Sequence, residues 1–274
     1  MFGESLVPVA PDVTLFVART SASTGTPLLV VHGGPDWDHT YLRDPLHRLR
    51  GVVLPDLRGC GRSTRGLPSS SYTWDAVVSD LLALLDALGI PEADVLGFST
   101  GGLIAQRLVL AAPQRFRRLV VASSSVLPVP PGPPRAGVLS DANRAAVPPD
   151  LSGAEANRAA ALAAASVDVW RPEARADYLA RVAAIRFSGD WWHPWTAGTL
   201  PPVRVPSASS RLTALGLPLL LLHGLYDTTF PASLATQTAA ANPAARAVIL
   251  DSAAHMAHID QPTAWLAALA DFLA

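Results

Sequence analysis

Residues 97–101 read Gly-Phe-Ser-Thr-Gly and place Ser99 between two glycines at the junction of two predicted elements. Residues 94–98 predict a short strand, and residues 101–112 predict a helix that stops before Pro113. A serine hydroxyl becomes an effective nucleophile only when a neighbouring base accepts its proton. A sharp strand-to-helix turn exposes such a serine, and small flanking residues let the strained backbone pass close to its neighbours. Ser99 is therefore the candidate nucleophile.

The base and the acid that orients it are expected further along the chain, each just after a buried strand. Asp227 follows the predicted strand 217–222, and His255 follows the predicted strand 247–250. Because loops at the carboxyl ends of parallel strands meet at one edge of a sheet, both side chains are expected to lie near Ser99. His255 would carry the proton, while Asp227 would fix its tautomer and stabilise its cationic form.

Neighbouring residues offer alternatives for these two roles. His258 is interpreted as a packing or hydrogen-bonding neighbour, with the role of base as its alternative. Asp251 precedes the turn and is interpreted as structural. The predicted strand 119–122 is followed by serines and not by a carboxylate, which favours Asp227 as the acid.

A tetrahedral intermediate of acyl transfer needs two backbone N–H donors. Thr100, the residue after the nucleophile, is expected to supply one, and the loop after the predicted strand 27–31 the other. Gly34 is the first choice in that loop, because a residue without a side chain lets the substrate approach closely. Gly33 is expected to line the binding site, and a tight structural turn is the alternative for this loop.

Aromatic residues close to these loops and in a later cluster predict an aromatic-walled pocket. The candidate substrate-binding residues are Trp37, Phe98, Trp191, Trp192 and Trp195. The alternative for the last three is that they anchor the surrounding segment to the core.

Other motifs indicate neither a metal nor a cofactor. Residues 56–63 lack the Gly-Lys-Ser/Thr ending of a phosphate-binding loop and are interpreted as a structural turn that holds the oxyanion loop. Cys60 is the single cysteine and is expected to be inert. The histidines lie in separate loops, without the spacing of a zinc site, so we expect no metal ligands.

Strand-like and helix-like segments alternate along the chain, which predicts a mostly parallel sheet flanked by helices. Residues 12–20 predict an early antiparallel strand and residues 51–55 a further buried one. Thr73 is expected to cap a helix that Gly89 ends. Further helices are predicted at leucines 42, 46 and 49, over 232–241, and from residue 262.

This alternation breaks between residues 127 and 214. Residues 127–149 have loop composition, whereas residues 154–169 and 172–187 predict two helices. We therefore predict an α/β core built from residues 1–126 and 215–274. Residues 127–214, here named the lid segment, form a mainly helical insertion in that core.

Composition excludes several functional classes. The net charge is −1, and the 21 basic residues are all arginine, so nothing indicates binding to nucleic acid or to an anionic membrane. Half of the residues are hydrophobic, but no apolar run approaches the roughly 20 residues of a spanning helix. The first residues lack the basic and apolar regions of a leader peptide, so we expect a cytoplasmic protein, either a monomer or a homodimer.

Together, five motifs resemble the α/β-hydrolase superfamily, and in particular its proline iminopeptidase-like branch. They are residues 32–35 (His-Gly-Gly-Pro), 56–63 (Asp-Leu-Arg-Gly-Cys-Gly-Arg-Ser), 97–102 (Gly-Phe-Ser-Thr-Gly-Gly), 223–227 (His-Gly-Leu-Tyr-Asp) and 255–258 (His-Met-Ala-His). The resemblance implies an α/β-hydrolase fold with a lid, a small-molecule substrate and no cofactor.

The sequence also departs from the branch. Asp36 stands where the family motif continues with glycine, and Phe98 and Thr100 flank the serine where iminopeptidases usually carry a small residue and tryptophan. Those enzymes resemble one another in holding the substrate's amine with lid carboxylates. The candidates for that role here are Glu173, Asp177 and Asp190, each with a solvated charge as its alternative.

We accordingly predict a serine hydrolase that cleaves a small, mainly apolar ester, lactone or related acyl compound through an acyl-Ser99 intermediate. One alternative is an aminopeptidase that releases N-terminal proline. Another is a non-catalytic protein of this fold that binds a small ligand under its lid.

Overall fold

A computed structural model of the protein describes residues 2–22, 24–130, 148 and 150–274. It contains an eight-stranded sheet. The strands are β1 (Gly3–Ala10), β2 (Val13–Arg19), β3 (Leu28–Val31), β4 (Val52–Pro55), β5 (Ala93–Phe98), β6 (Phe116–Ala122), β7 (Leu219–Gly224) and β8 (Ala245–Leu250).

The order of the strands places several loops at one crevice. The order is β1-β2-β4-β3-β5-β6-β7-β8, with β2 antiparallel to both of its neighbours and all strands from β4 to β8 parallel. The chain runs outward in one direction from β3 to β4 and in the other direction from β5 onward. Ligand crevices form at such a switch point, outside the carboxyl ends of the strands. The loops after β3 and β5 therefore open onto the same crevice.

Helices cover both faces of the sheet. They are α1 (Arg43–Leu46), α2 (Trp74–Ala87), α3 (Thr100–Ala111), α4 (Gly153–Ala163), α5 (Ala165–Asp168), α6 (Arg175–Ala184), α7 (Trp192–Thr196), α8 (Ala208–Leu215), α9 (Ala232–Ala241), α10 (Ala257–Asp260) and α11 (Pro262–Leu273). Helix α2 begins as the sequence predicts, because Thr73 Oγ1 accepts a hydrogen bond from Ala76 N at 3.1 Å.

Each buried strand supplies side chains to two apolar cores, one on either face of the sheet. In β3, for example, Leu29 and Val31 face the core covered by α2, α3 and α9, whereas Leu28 and Val30 face the core covered by α1 and α11. Continuous apolar runs are expected for parallel strands that are covered on both faces. The predicted α/β-hydrolase architecture is confirmed.

The described part of the lid segment packs at the carboxyl ends of the strands. Its described residues add helices and loops but no strand to the sheet, and the predicted loop 127–149 lies largely outside the described residues. Asp260, fully buried, accepts hydrogen bonds from Trp170 N at 3.0 Å and Arg171 N at 2.9 Å. Arg181 donates a hydrogen bond to the carbonyl of Tyr41 at 3.1 Å, which is a second attachment of the lid segment to the core.

One predicted helix differs from the structure. The leucine spacing at residues 42–49 predicts a regular helix, but the segment forms two short turns, Thr40–Leu42 and α1. Asp44 is extended there, at φ −104° and ψ 126°. The residue before a proline is pushed out of the helical region, and Pro45 also lacks an N–H, so the helix cannot continue. Across the described part of the chain, no helix is both long and apolar enough to cross a membrane.

Candidate active site

Ser99 occupies a sharp turn between β5 and α3. Its φ is positive, at 55°, with ψ at −125°, a combination that is unusual for a residue with a side chain. A Cβ at Gly97 would lie 2.2 Å from the carbonyl of Gly101, and one at Gly101 would lie 2.2 Å from the carbonyl of Val31. Both flanking positions therefore exclude any side chain, which is why the turn needs its two glycines.

The loops after β7 and β8 bring Asp227 and His255 to this turn. His255 Nε2 lies 3.1 Å from Ser99 Oγ, and His255 Nδ1 lies 3.0 Å from Asp227 Oδ2. The other oxygen of Asp227 accepts hydrogen bonds from Thr229 N at 2.8 Å and Phe230 N at 2.9 Å. This leaves Oδ2 free to orient the imidazole. The three predicted side chains thus form one continuous hydrogen-bonded chain with the geometry of an activated serine.

Two carboxylates control the charge of His255. Burial disfavours its imidazolium form, but Asp227 and, to a smaller degree, Asp168 outweigh that effect and raise the pKa of His255 to about 9. A histidine with such a raised pKa binds the transferred proton tightly. The environment therefore favours the cationic state that proton abstraction from Ser99 would generate.

The backbone N–H groups near Ser99 belong to the loop after β3 and to the first residue of α3. The N–H of Gly33 donates to Tyr41 Oη at 2.9 Å, whereas Thr100 Oγ1 donates to the carbonyl of Gly34 at 2.7 Å. The N–H groups of Gly34 and Thr100 have no hydrogen-bond partner within the described residues. Of the predicted donors in this region, these two are available to an oxyanion, and Gly33 N–H is already used.

A cavity of about 250 Å³ opens onto Ser99 and His255. Five of the predicted binding residues line it, namely Gly33, Trp37, Phe98, Trp192 and Trp195, together with the predicted oxyanion donor Gly34. Its further polar residues include Asp36, Tyr41, Asn157 and Asp168. Among the described residues, no arginine lines this cavity, and the cationic group beside its carboxylates is His255, whose pKa is raised.

Trp191 requires a correction, because it is absent from the residues that line this cavity. It is 1% exposed, its ring stacks on Trp74 at 4.9 Å, and its Nε1 donates to the carbonyl of Arg58 at 2.9 Å. A buried tryptophan that stacks and satisfies its N–H serves as an anchor. Trp191 therefore fixes the lid segment to the core, the alternative that the sequence left open.

The carboxylates proposed from the sequence as amine ligands also lie elsewhere. Asp190 accepts hydrogen bonds from Tyr72 Oη and from Gly66 N, so it ties the lid segment to the loop before α2. Glu173 and Asp177 form exposed ion pairs with arginines. None of these three carboxylates lines the cavity at Ser99.

Asp168 is the cavity carboxylate that the sequence analysis missed. Its carboxylate has one long contact, 3.5 Å from Tyr178 Oη, and that hydroxyl donates instead to the carbonyl of Ala161 at 2.7 Å. Burial raises the pKa of Asp168 to about 6. No motif surrounds it, because it ends a helix whose docking brings it to the cavity, so only the fold identifies it.

His258 and Asp251, the neighbours of the predicted base, make no hydrogen bond to Ser99 among the described residues. His258 is fully buried, with Nε2 3.2 Å from the carbonyl of Tyr41 and its ring 5.0 Å from that of Phe98. Asp251 is exposed.

Cys60 is buried, which raises the pKa of its thiol well above the usual value. Within the described ranges, no cluster of three or more histidine, cysteine or acidic side chains is arranged to hold a metal ion.

The loop of residues 56–63 contacts the loop after β3. Asp56 is fully buried and accepts hydrogen bonds from His39 N at 3.1 Å and from Arg62 N at 2.9 Å. Burial opposes the charged form of Asp56, but His39 Nδ1, 2.6 Å from the carboxylate, outweighs that effect and holds the pKa of Asp56 below the usual range. His32 Nε2 accepts a hydrogen bond from Leu57 N at 3.1 Å, so it joins the two loops.

Comparison with known proteins gives a consistent set of similarities. A sequence model described as "alpha/beta hydrolase fold" matches residues 26–262. The 2-hydroxymuconate semialdehyde hydrolase of Pseudomonas sp. (strain CF600) is 30% identical over 269 residues, which cover 92% of this chain and 88% of that protein. The proline iminopeptidase of Heyndrickxia coagulans is 25% identical over 291 residues, covering 100% of this chain and 99% of that protein.

A solved structure is similar over the same extent. The proline iminopeptidase-related protein from Thermus thermophilus superposes with a TM-score of 0.74 at 27% identity, covering 100% of this chain and 97% of that one. These similarities confirm the predicted fold class and the resemblance to proline iminopeptidase-like hydrolases.

Proposed function

Since this chain belongs to the alpha/beta hydrolase fold family, we propose that it cleaves a small, mainly apolar ester, lactone or related acyl compound with Ser99 as nucleophile. The observation that carries the proposal is the hydrogen-bonded chain from Ser99 through His255 to Asp227, with distances of 3.1 and 3.0 Å, at the wall of a cavity. As a member of this family the protein is a hydrolase.

The acylation step follows from these positions. Ser99 Oγ attacks the acyl carbon while its proton passes to His255 Nε2. The carbonyl oxygen becomes an oxyanion, to which the N–H groups of Gly34 and Thr100 donate hydrogen bonds. Asp227 stabilises the imidazolium. When the intermediate collapses, the bond to the leaving group breaks, and the leaving oxygen takes the proton from His255. The products are an alcohol and acyl-Ser99.

Deacylation uses the same groups with water. His255 removes a proton from a water molecule, whose oxygen attacks the acyl carbon, and the proton is then returned to Ser99 Oγ. The acyl–Oγ bond breaks and a carboxylic acid is released. No cofactor is needed for either step, because every proton is exchanged between the substrate, water and His255.

The size and lining of the cavity favour small, mainly apolar substrates. Its volume of about 250 Å³ lies below the usual range of drug-sized ligand pockets, which begins at about 300 Å³. Trp37, Phe98 and Trp192 supply its apolar walls. An anionic substrate would meet the carboxylates of Asp36 and Asp168, while the imidazolium of His255 is already paired with Asp227. Residues 127–214 act as a lid in this proposal, since Trp192 and Asp168 reach the cavity from that segment.

A second candidate activity is the release of an N-terminal amino acid, and one observation favours it. Asp168 reaches the cavity from the lid segment and has no strong hydrogen-bond partner there. A carboxylate in that position would pair with the ammonium group of a peptide substrate. This candidate uses the same nucleophile and the same base.

The first experiment tests the nucleophile. The protein is incubated with a fluorophosphonate, and the modified peptide is mapped by mass spectrometry. We expect a single adduct on Ser99 and at least about a 100-fold slower reaction in His255→Ala, since a positioned general base contributes roughly 10²–10⁴-fold. His258→Gln serves as the matched control and should react at a rate close to wild type. Labelling elsewhere, or equal rates in the two histidine variants, would contradict the proposal.

The second experiment separates the candidate activities. Turnover of short p-nitrophenyl esters is compared with that of prolyl p-nitroanilide, using Ser99→Ala as the blank. Esterase activity alone supports the first candidate. Faster turnover of the anilide, with loss in Asp168→Asn, supports the aminopeptidase. Thermal stabilisation by these compounds without turnover of any of them would show a non-catalytic binding protein.

A further inference from the structure

Asp36 stands where the family motif continues with glycine, and its backbone retains the conformation that favours glycine. Its φ is 68°, in the left-handed region, yet the residue is only 1% exposed. Aspartate tolerates this region better than most residues with a side chain. A buried carboxylate in a strained backbone is destabilising unless specific contacts compensate.

Among the described residues, the hydrogen bonds to the carboxylate of Asp36 all come from the lid segment. Asp36 Oδ1 accepts hydrogen bonds from Ser188 Oγ at 2.6 Å and Trp191 N at 3.0 Å, and Oδ2 accepts one from Asn157 Nδ2 at 3.0 Å. The carbonyl of Asp36 accepts a further bond from Ser188 N at 3.0 Å. Three separated points of the lid segment thus converge on one residue of the core.

On its other side, Asp36 is joined to the proposed oxyanion donors. It follows Gly34 by two residues in the same loop, and the carbonyl of Gly34 accepts a hydrogen bond from Thr100 Oγ1 at 2.7 Å. A single short loop therefore contacts the lid segment through Asp36 and the nucleophile turn through Gly34. A shift at Asp36 or at Gly34 therefore moves the same peptide groups, those between residues 34 and 36.

We propose that Asp36 is a positioning residue that couples docking of the lid segment to the geometry of the oxyanion loop. The N–H of Gly34 points to the oxyanion only while the lid segment is bound to the Asp36 carboxylate. The catalytic part of this inference rests on the proposed function, whereas the coupling between the two segments stands independently of it.

Two substitutions at position 36 test the coupling. Asp36→Gly keeps the backbone conformation and removes the acceptor. Asp36→Asn keeps Oδ1 as an acceptor for Ser188 and Trp191. We expect Asp36→Gly to lower kcat for p-nitrophenyl acetate about 10- to 100-fold with a smaller change in KM, because an oxyanion donor acts in the transition state and its complete loss costs roughly 10²–10³-fold. Asp36→Asn should recover most of that loss.

Amide hydrogen exchange gives a readout that does not depend on turnover. In Asp36→Gly, exchange should become faster in residues 33–37 and also in residues 186–192. Ser188→Ala changes a lid residue whose Oγ contacts both Asp36 and the carbonyl of Gly59, and we expect it to speed exchange in residues 33–37 as well. Since Ser188→Ala leaves position 36 unchanged, it also tests the coupling if Asp36→Gly fails to fold.

Two other variants serve as comparisons. Asp260→Asn loosens the lid segment at its other attachment and should speed exchange around residues 168–171 and 254–260, but not in residues 33–37. Glu173→Gln changes an exposed lid carboxylate and should leave kcat and exchange in all these segments at wild-type values.

Three outcomes would each contradict a different claim: the coupling, the role at the oxyanion loop, or the proposed function. Faster exchange confined to the lid segment in both Asp36→Gly and Ser188→Ala would overturn the coupling. A rise in KM with unchanged kcat would overturn the role at the oxyanion loop. If wild-type protein neither hydrolyses esters nor reacts with fluorophosphonate while exchange in the two segments remains coupled, the proposed function fails and the coupling stands.

Discussion

The carboxylate of Asp227 and the imidazole of His255 form a buried pair, with Oδ2 of the aspartate 3.0 Å from Nδ1 of the histidine. The second oxygen of Asp227 is held by two backbone N–H groups, so the carboxylate cannot rotate away from His255 without losing them. The pair fixes the tautomer in which Nε2 accepts a proton, and the proposed mechanism predicts a defined catalytic defect if this tautomer is lost.

We expect Asp227→Asn to lower kcat for short p-nitrophenyl esters by about 10⁴-fold, with little change in the free energy of unfolding. Asparagine can keep the backbone contacts through its carbonyl, but it then presents an N–H₂ donor to Nδ1. The histidine must accept that bond, and its proton moves to Nε2, where it blocks the base. Asp251→Asn, in the exposed turn after β8, is the control and should retain wild-type kcat.

Trp191, which precedes α7, and Trp195, within α7, should differ sharply in their contribution to the free energy of unfolding. Trp191 is 1% exposed and stacked on Trp74, whereas Trp195 is 49% exposed at the cavity. Replacing a buried tryptophan with alanine typically costs roughly 3–5 kcal/mol, so we expect Trp191→Ala to lower the free energy of unfolding by about 4 kcal/mol. Trp195→Ala should lower it by less than about 1 kcal/mol. Urea denaturation of both variants measures the difference, and equal losses would contradict the anchoring role of Trp191.

The parts of the fold predicted from sequence are those with strong local patterns. β3 and β7 are continuous apolar runs, and α9 matches its predicted range. β1, in contrast, was not predicted, because it lies at the edge of the sheet, contains Pro8 and has a mixed pattern of exposure. Helix α8 was also missed, since its serines favour a linker and its stability comes from burial of Ala208 and Leu212.

In the candidate site, too, the residues that follow recognisable strands were predicted, whereas the cavity lining was predicted only in part. Ser99, Asp227 and His255 follow strands that are recognisable in the sequence, and the topology of a parallel sheet then places them at one edge. The cavity lining depends on how the lid segment docks, which no local pattern encodes. For this reason Trp191 was expected in the cavity and lies in the core, and Asp168 was not expected and lies in the cavity.

Chain length should discriminate strongly among ester substrates. Trp192 is one of the residues that line the cavity of about 250 Å³. We expect kcat/KM to be highest for p-nitrophenyl acetate or butyrate and to fall steeply for the decanoate. Trp192→Ala should raise kcat/KM for the octanoate relative to the acetate by at least about tenfold, since one methylene in an apolar pocket already changes selectivity by roughly 10- to 200-fold. Leu162→Ala, an exposed lid residue, should leave this ratio unchanged.

Asp168 should set the pH range in which His255 acts as a base. Burial opposes the charged form of His255, but Asp227 and then Asp168 outweigh it and raise the pKa of His255 to about 9. The base acts in its neutral form, so kcat/KM should rise with pH and level off above about pH 9. The pKa of Asp168 is about 6, so its carboxylate is ionised over most of that rise and holds the proton on His255.

Removal of this charge should therefore shift the activity profile toward lower pH. In Asp168→Asn the imidazolium loses one stabilising carboxylate, the pKa of His255 falls, and the neutral base is present at lower pH. If the profile shifts by about one pH unit, kcat/KM for p-nitrophenyl acetate at about pH 7 rises by about tenfold. Asp177→Asn, an exposed lid carboxylate paired with Arg181, is the matched control and should not move the profile. A profile that stays in place in Asp168→Asn, or shifts toward higher pH, would show that Asp168 does not act on His255.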